Sequence, residues 1–292
     1  MKLSEIPGNN IVKARLLNAV NNNSVSHAYI FCGKKGLFKY ETAKTFAGIL
    51  TNGSMADVIE VTNERYGIDK KNFSVDAIRK ARSEIFTKPY TADKKVFIIN
   101  NANEMNRECQ NALLKVFEEP PSYCVIILIT DNESTLLQTI RSRAVTMRFS
   151  SISDEEIKKY LVSLGYTPDE TTLKIAEGSA GYAAELISNE EKKAIIREFM
   201  PIGQKLFSPN YYDIYKAISF FEREKDNYEL LFDILTVIFR ERLLKNAKKC
   251  DIMKNDACAK VLFNIENSKS ALSGNANYST VITEFFISIR DI

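Results

Sequence analysis

The amino-acid sequence predicts an α/β domain with a parallel sheet, followed by segments that are helical throughout. Up to about residue 150, short apolar runs alternate with longer helical patterns, an arrangement typical of α/β folds. The first apolar run leads straight into a loop rich in Gly and Lys. From Ser153 onward helical periodicity continues and strand patterns are few. Within the 292 residues we therefore expect an α/β domain over 1–150, a small helical domain over 151–189 and a C-terminal helical domain over 190–292.

Strands and helices of the first domain alternate along the chain. Five short apolar runs predict strands, and those that follow Pro89 and Pro121 are almost continuously apolar, as strands buried on both faces are. The two preceding helices end before Pro89 and before Pro120, because a residue before proline avoids the helical region. The strands are expected at 27–32, 58–61, 95–99, 124–129 and 145–149, and the helices at 41–50, 74–87 and 104–119.

The second half of the chain predicts helices only. Ser153 followed by three acidic residues is an N-cap with negative charge in the first turn, and Gly178 and Gly181 interrupt a small helical unit. Residues 230–244 are apolar on more than one face, which fits a helix buried in an oligomerisation collar and equally the core of an ordinary helical domain. Amphipathic helices are expected at 190–199, 211–223, 228–248 and 278–290.

The composition indicates an ordinary soluble globular protein. Apolar residues make up 45% and charged residues 26%, which excludes disordered and fibrous classes. The five cysteines contain no CxxC pair, so we expect neither a zinc ribbon nor a disulfide framework, and reduced thiols fit a cytoplasmic protein. No secretory signal is recognisable, and no apolar run approaches the length of about 20 residues that a membrane span needs. We expect a cytoplasmic protein with no membrane partner.

Charge is divided unevenly between the two halves of the chain. The net charge of +3 is too small to indicate nucleic-acid binding by itself. Residues 1–150, however, hold 21 Lys and Arg against 15 Asp and Glu, whereas residues 151–292 hold 19 against 22. The basic first half is suited to facing DNA or phosphates supplied by a neighbour, and the mildly acidic second half is suited to protein contacts.

The loop after the first strand is close to a phosphate-binding P-loop, whose pattern is G-x-x-x-x-G-K-[ST]. In that pattern, glycines let backbone N–H groups surround the phosphates, the lysine reaches the outer phosphates, and the hydroxyl binds magnesium. Gly33 and Lys39 match the pattern, and Gly36 lies between them. Phe38, however, replaces the second glycine, and Tyr40 replaces the Ser or Thr. We predict that the loop forms but does not bind ATP.

The strand at 95–99 carries a second departure from a working ATPase. Such a site needs an aspartate at the end of this strand for magnesium and a neighbouring carboxylate to activate water. Compared with a DEAD-type ending, three acidic positions are here Asn100, Asn101 and Asn103. An amide keeps the shape of a carboxylate and loses its charge, so we expect neither metal binding nor ATP hydrolysis by the chain itself.

Two further segments resemble the clamp-loader subunits of the AAA+ family. Residues 111–121 read NALLKVFEEPP, which resembles the family's NALLK-x-LEEPP stretch, and residues 139–144 read TIRSRA, which resembles its T-I-x-S-R-C element. Residues 27–31 resemble the strand before the family's P-loop, and residues 6–17 its N-terminal helix. The resemblance is dense up to about residue 190. It implies a RecA-like AAA+ domain, a helical lid and a C-terminal helical collar.

The same resemblance implies a role for the arginine of the S-R-C element. In the family this arginine reaches into the ATP site of a neighbouring subunit, which here corresponds to Arg143, with Ser142 beside it. Ala144 replaces the family's cysteine, which changes packing behind Arg143 more than its reach. Gly181 lies where active subunits carry a sensor arginine. The alternative is that Arg143 is a solvated surface side chain.

One family feature is missing from the sequence. Most delta-prime and motor subunits carry a four-cysteine zinc module after the P-loop helix, whereas residues 50–57 pass directly to the next strand without a cysteine. We therefore expect no zinc and, given the altered P-loop, no cofactor. Among clamp-loader subunits, the combination of an altered P-loop, an altered acidic strand and an intact S-R pair resembles the delta-prime subunits of bacterial DNA polymerase III holoenzymes.

The function that this resemblance implies is that of a catalytically silent clamp-loader subunit. It would help to load the sliding clamp onto primed DNA and supply Arg143 in trans to an ATPase neighbour. The expected partners are motor subunits of gamma/tau type and delta-type subunits, with the sliding clamp and primer–template DNA reached through the complex. Lys39 leaves open a motor-type ATPase with an unusual nucleotide site. A DNA-binding regulator would need a compact basic region in the C-terminal helices, which the sequence lacks.

Overall fold

The computed structural model describes residues 2–69, 73–207, 210–248, 252–274 and 276–290. The chain divides into two compact units. The first consists of Met1–Gly165 together with Gly178–Tyr182, and the second of Tyr166–Glu177 together with Ala183–Ile292. Residues of the segment 151–189 contribute to both units, so its assignment to a lid domain of its own stays a prediction.

The first unit contains all five predicted strands. The strands are β1 (Ala28–Cys32), β2 (Val58–Glu60), β3 (Lys95–Ile99), β4 (Cys124–Thr130) and β5 (Val145–Arg148). The α-helices of this unit are α1 (Asn10–Asn21), α2 (Lys39–Leu50), α3 (Val75–Ile85), α4 (Arg107–Glu118), α5 (Gln138–Arg141) and α6 (Asp154–Ser163). The predicted α/β class with a parallel sheet, followed by a helical C-terminal region, is confirmed.

The five strands form one parallel sheet in the order β2-β3-β4-β1-β5. The strand β1 lies inside the sheet, where Tyr29 pairs with Ile127 of β4 and with Val145 of β5. The chain moves from β1 to the far edge and returns through β3 and β4, then crosses β1 to form β5. The connections that follow the neighbouring strands β1 and β4 therefore run in opposite directions across the sheet, and open parallel sheets bind ligands at the carboxyl ends of strands at such a switch point.

Burial of the two central strands explains their sequence. Every residue of β3 and β4 is buried, which requires side chains that are apolar on both faces. The helices α3 and α4 cover one face through Ile78, Leu113 and Phe117, all of which are buried in the same core cluster. At about 25 cal/mol per Å² of apolar area removed from water, such side chains supply most of the stabilisation of the unit.

Helix starts are set by side-chain caps. The N-cap at Ser153 is confirmed, since its Oγ accepts a hydrogen bond from the Glu156 N–H at 3.3 Å. The helix predicted at 104–119 begins later than expected, because the Asn106 side chain accepts from the Cys109 N–H at 2.8 Å and caps α4 there. Before this cap the chain makes a separate 3-10 turn, Ala102–Glu104. Asparagine is favoured at a cap over a helix interior because its side chain can accept a hydrogen bond from a backbone N–H of the first turn.

The second unit is formed by helices. They are α7 (Glu170–Ala176), α8 (Ala180–Ser188, which starts in the first unit), α9 (Glu190–Gln204), α10 (Tyr211–Arg223), α11 (Tyr228–Lys248), α12 (Ile252–Ser273) and α13 (Tyr278–Arg290). The bounds of α10, α11 and α13 agree with the predicted ranges, and α9 continues beyond the predicted end through Pro201. Of the helices that the structure describes, none has both the length and the apolar character needed to cross a bilayer.

The helix α12 was missed by the sequence prediction. Its buried positions include Cys258, Val261 and Ser268, so the stripe that faces the core is narrow and partly polar. The large apolar side chain of Phe263 lies off this stripe and is 66% exposed. Mixed apolar and polar residues around the helix therefore hide its periodicity.

The helix α11 lies at the centre of the second unit. Almost all of its residues over 230–239 are buried, and α9 and α12 pack against it. Phe221 of α10 contacts the rings of Phe199, Phe232 and Phe286, with ring centroids 5.0–5.6 Å apart. The apolar faces of α11 thus pack in the core of this helical unit, and an oligomerisation collar stays a prediction. They carry no information about a partner.

A buried carboxylate fixes the short connection between α2 and β2. Asp57 is fully buried and accepts hydrogen bonds from the N–H groups of Tyr90, Thr91 and Ala92 at 2.6–3.0 Å, and from the Ser54 hydroxyl at 3.1 Å. Burial alone raises the pKa of Asp57, but these donors outweigh burial and hold its pKa well below the usual value. The Asp57 carboxylate therefore joins the loop at residues 90–92, before β3, to the segment 50–57, in which the sequence lacks the cysteines of a zinc module.

We expect Asp57→Asn to lower the free energy of unfolding at pH 7 by about 2 kcal/mol, because hydrogen bonds to a charged acceptor are lost and an amide N–H₂ faces backbone donors. The folded state lowers the pKa of Asp57, so this stabilisation is fully present at neutral pH, begins to decline as the pH falls below about 4, and is lost only as the pH falls through the lower pKa of the folded state. Urea denaturation at pH 7 and at pH 2.5 measures both effects, since the difference between the wild type and the variant should shrink at the lower pH. Asp93→Asn, at an exposed site, is the control. Equal unfolding free energies for the two variants would contradict this role.

Candidate nucleotide loop and arginine site

The loop between β1 and α2 lies at the carboxyl edge of the sheet, at the switch point between β1 and β4. Its first residue, Gly33, donates its N–H to the Thr130 carbonyl at 3.3 Å. A Cβ atom at Gly33 would lie 2.5 Å from the Phe149 carbonyl oxygen, so only glycine fits between β4 and β5 at this point. The structure places the predicted loop where a P-loop would be, with α2 beginning at Lys39.

The Lys39 ammonium is held inside this loop. Its side chain is 7% exposed, and Nζ donates to the carbonyls of Gly33 and Lys34 and to Asp131 Oδ1, the last at 2.5 Å. A lysine has three N–H donors, so these three acceptors account for its whole hydrogen-bonding capacity. A phosphate could reach Lys39 only by displacing the Asp131 carboxylate or the loop carbonyls.

Phe38 occupies the position of the second P-loop glycine in a left-handed conformation, with φ +59° and ψ +31°. This region suits glycine, because a Cβ atom crowds the following carbonyl there. The Phe38 ring packs edge-on against Tyr160 of α6, with centroids 5.2 Å apart. The backbone has therefore kept the shape that a glycine would give, and the aromatic ring has found a packing partner on α6.

Tyr40 occupies the position of the magnesium-binding hydroxyl and is engaged elsewhere. Its hydroxyl lies 3.4 Å from Lys44 Nζ, which forms an ion pair with Glu60 Oε1 at 2.9 Å. Burial, followed by the hydrogen bond to Glu60, raises the pKa of Tyr40. The Tyr40 hydroxyl is thus bonded to this pair, which belongs to α2 and β2.

The segment 178–182 packs on the outside of the loop. The Gly181 N–H donates to the Gly36 carbonyl at 2.9 Å, and the Ser179 hydroxyl donates to the Lys35 carbonyl at the same distance. A Cβ atom at Gly181 would lie 2.8 Å from that Gly36 carbonyl, and Gly36 has φ +75°. Gly181, expected at a sensor-arginine position, is therefore required by close packing against the loop backbone.

The three asparagines after β3 are exposed at the carboxyl edge. The Asn100 side-chain oxygen accepts from the Asn101 N–H at 3.0 Å, and Asn101 is itself left-handed with φ +52°. Asn103 lies in the 3-10 turn that follows. Within the described ranges, no group of three or more His, Cys, Asp or Glu side chains is placed to hold a metal ion. The edge thus presents amides where the catalytic arrangement would need carboxylates.

Arg143 follows α5 and lies at the surface, with 37% of its side chain exposed. Nη1 donates to the Thr139 carbonyl at 3.1 Å and approaches Ser142 Oγ at 3.4 Å, while Nη2 forms an ion pair with Glu118 Oε1 at 3.3 Å. Ala144 is half-buried against the sheet core behind it. The arginine is therefore accessible and oriented by its own segment and by the end of α4.

The helix α4 also fixes the segment that leads into α5. The buried Gln110 side chain donates to the carbonyls of Met105 and Thr135, both at 3.0 Å, and accepts from the Leu137 N–H at 2.7 Å. A buried amide with these bonds ties the two segments together, because breaking any of them would leave a buried polar group unpaired. The segment that leads to Arg143 is therefore held in place by hydrogen bonds to α4.

Sequence reasoning missed Asp131 and Glu118. Asp131 directly follows β4, and the pairing of β4 with β1 places it beside Gly33. That position could have been found, because carboxyl ends of neighbouring parallel strands meet at one edge. Glu118 belongs to a motif that was noted for its resemblance alone. Nothing in the spacing of residues 118 and 143 indicates that they form a pair.

A parallel sheet of this order, with a glycine–lysine loop between β1 and α2, defines the class of P-loop-type α/β proteins. Within that class, residues 8–153, half of the chain, match the family described as DNA polymerase III, delta subunit. The chain belongs to this family, and so to the clamp-loader AAA+ proteins of DNA polymerase III.

Relatives of two kinds are similar to the chain. The Bacillus subtilis DNA polymerase III subunit delta' is 27% identical over 252 residues, which cover 78% of this chain and 75% of that protein. The B. subtilis subunit tau is 30% identical over 198 residues, 61% of this chain and 34% of that protein. A Mycoplasma pneumoniae subunit gamma/tau is 29% identical over 178 residues, 56% of this chain and 26% of that protein. The chain thus spans about a third or less of these tau and gamma/tau relatives.

A solved structure from Thermotoga maritima, a DNA polymerase III gamma subunit-related protein, covers 94% of this chain and 98% of its own. Its sequence identity is 18% and its TM-score 0.47. The fold assignment rests on the sheet order and strand register given above.

We expect Phe38→Gly to be more stable to urea than Phe38→Ala by about 1 kcal/mol. Both variants lose the ring contact with Tyr160. Only the alanine variant has a Cβ atom, which lowers the stability of a residue in the left-handed region. This order reverses the usual one for helices, in which glycine is the less stable residue. Glu41→Gly and Glu41→Ala, in the first turn of α2, are the matched pair and should show the usual order. An alanine variant at least as stable as the glycine variant at position 38 would contradict the left-handed assignment.

Proposed function

We propose that this chain is a catalytically silent, delta-prime-like subunit of a clamp loader, which lends Arg143 to the ATP site of a neighbouring subunit. The observation that carries the proposal is that the Lys39 ammonium is buried and hydrogen-bonded within its own chain. The ammonium that should meet the outer phosphates of ATP is buried and bonded to two loop carbonyls and Asp131. A loop whose cation is neutralised from within has lost its main attraction for phosphate.

Two neighbouring positions support the same conclusion. Phe38 keeps the glycine-like backbone but carries a ring into the loop's border with α6, and the Tyr40 hydroxyl is committed to Lys44 and Glu60. Magnesium prefers hard oxygen ligands such as carboxylates and small hydroxyls. Neither a phenol engaged in an ion-pair cluster nor the amides at the end of β3 supply them. The loss of phosphate contact and the loss of metal ligands are independent defects.

The surroundings of Arg143 support a role outside its own subunit. Its guanidinium is 37% exposed at the end of α5, and Nε has no hydrogen-bond partner among the described residues. A guanidinium placed against a transferring phosphoryl group stabilises the charge that develops there and raises the rate by about 10³–10⁵. An exposed arginine whose segment is hydrogen-bonded to α4 is suited to contact a phosphate of a neighbouring subunit.

The relatives support membership in a multi-subunit complex. Similarity to the delta' relative extends over most of both chains, whereas similarity to the tau relative covers a third of the latter. We infer that the partners are motor subunits of gamma/tau type and delta-type subunits. The sliding clamp and primer–template DNA would be met through the complex, in the cytoplasm.

A second candidate function is a motor-type clamp-loader ATPase with an unusual nucleotide site. It is favoured by the presence of Lys39 at the P-loop position and by 30% identity to a tau subunit. It would require the Lys39–Asp131 pair to open and Tyr40 to leave Lys44 before a nucleotide could bind.

The two candidates differ in nucleotide binding. We expect no saturable binding of ATP with Mg²⁺ by the isolated chain up to millimolar ATP, because Lys39 and the metal-ligand positions are unavailable. Isothermal titration calorimetry measures this, with a gamma/tau-type motor subunit as the positive control. Stoichiometric binding with turnover by the isolated chain would contradict the silent role and favour the motor alternative.

We expect Arg143→Ala to assemble normally but to lower DNA-stimulated ATP hydrolysis by the reconstituted complex about 10³-fold for the site it serves. The physical reason is the loss of positive charge at the transferring phosphate. Arg141→Ala, which removes another exposed arginine two residues away, is the matched control. Native mass measurement verifies assembly. Hydrolysis that is unchanged in an intact complex would show that Arg143 is not supplied in trans.

A further inference from the structure

The end of α4 brings a carboxylate to the proposed arginine. Glu118 is the last residue of α4, and Pro120 and Pro121 follow within three residues and stop the helix. The position of the Glu118 backbone is therefore fixed by the same helix that Gln110 ties to the segment before α5. Its side chain is 50% exposed and reaches Arg143 Nη2 at 3.3 Å.

Each end of the Arg143 guanidinium has a different partner. Thr139 and Ser142, from its own segment, contact Nη1, whereas Glu118, 25 residues earlier, contacts Nη2. The hydrogen bond to the Thr139 carbonyl holds Nη1 in place, but the guanidinium can still rotate about the line that joins these two atoms. A second contact on the other nitrogen fixes the plane of the group, since the guanidinium is planar and rigid.

We propose that Glu118 is a positioning residue for Arg143: by its contact with Nη2 it fixes the guanidinium plane, so that the exposed group is presented to a phosphate of a neighbouring subunit. This inference rests on the proposed function, because it assigns a helper to the arginine that the function requires. Glu118 itself would touch neither nucleotide nor metal.

The size of the effect follows from the exposure of the pair. Ion pairs between exposed side chains contribute little to stability, so loss of the Glu118 charge should leave folding and assembly unchanged. The same weak ion pair still raises the fraction of time that the Arg143 guanidinium spends in the orientation seen here. Its loss should lower the rate of the chemical step by about two- to fivefold, far less than removal of the arginine.

The test is Glu118→Gln, which keeps the size of the side chain and removes its charge, in the full chain reconstituted with gamma/tau-type and delta-type subunits. Glu119→Gln, the adjacent exposed glutamate, is the matched control. We expect DNA-stimulated ATP hydrolysis with kcat lowered two- to fivefold, an unchanged KM for ATP and an unchanged melting temperature. Glu118→Asp should restore part of the loss, and Glu118→Gln should add nothing to Arg143→Ala, because both act through one group.

The outcomes separate this inference from the function on which it rests. If Arg143→Ala abolishes hydrolysis but Glu118→Gln matches the wild type and Glu119→Gln, the positioning role is wrong and the proposed function stands. Faster hydrolysis by Glu118→Gln would mean that Glu118 restrains the arginine, which also overturns the proposal. If Arg143→Ala itself has no effect, the proposed function fails and the positioning role falls with it.

Discussion

The bond between the Lys39 ammonium and the Asp131 carboxylate is the interaction on which the character of this molecule depends. In a nucleotide-binding P-loop the lysine is kept for phosphates. Here a carboxylate at the end of β4 and two carbonyls of the loop satisfy it, in a position that is 7% exposed. The loop therefore closes around its own cation. A buried lysine without these acceptors would carry an unpaired charge, and the carboxylate that meets it, Asp131, is 55% exposed.

The surrounding fold is arranged to keep this loop closed. Pairing of β1 with β4 places Asp131 beside Gly33, and the N–H of Gly181 and the hydroxyl of Ser179 bond to loop carbonyls from outside. Phe38 holds the left-handed turn with a ring packed on α6. The loop thus keeps the position of a P-loop in the sheet, while Lys39 and Tyr40 are both bonded to groups of the same chain. Arg143, which is oriented by Glu118 of α4, is accessible at the surface, as the proposed role in a neighbouring site requires.

Much of the fold could be predicted from the sequence, because the strands at 95–99 and 124–130 and the glycine loop follow strong local patterns. The departures at Phe38, Tyr40 and Asn100 could likewise be found by comparing the loop and strand with what phosphate and magnesium require. Contacts between distant residues could not be found in this way. The partner of Lys39 lies 92 positions away, and that of Arg143 lies 25 positions away. The helix α12 was missed because its buried stripe is partly polar, and Asp57 gave no signal because three of its donors are backbone N–H groups.

The central claim is that the Lys39 ammonium is occupied from within the chain. Amine-reactive labelling followed by peptide mass spectrometry measures it directly, with the exposed Lys34 and Lys35 on the same peptide as internal references. We predict that Lys39 reacts much more slowly than these two lysines, and that ATP with Mg²⁺ leaves its rate unchanged. Rapid labelling of Lys39 that ATP suppresses would contradict the account.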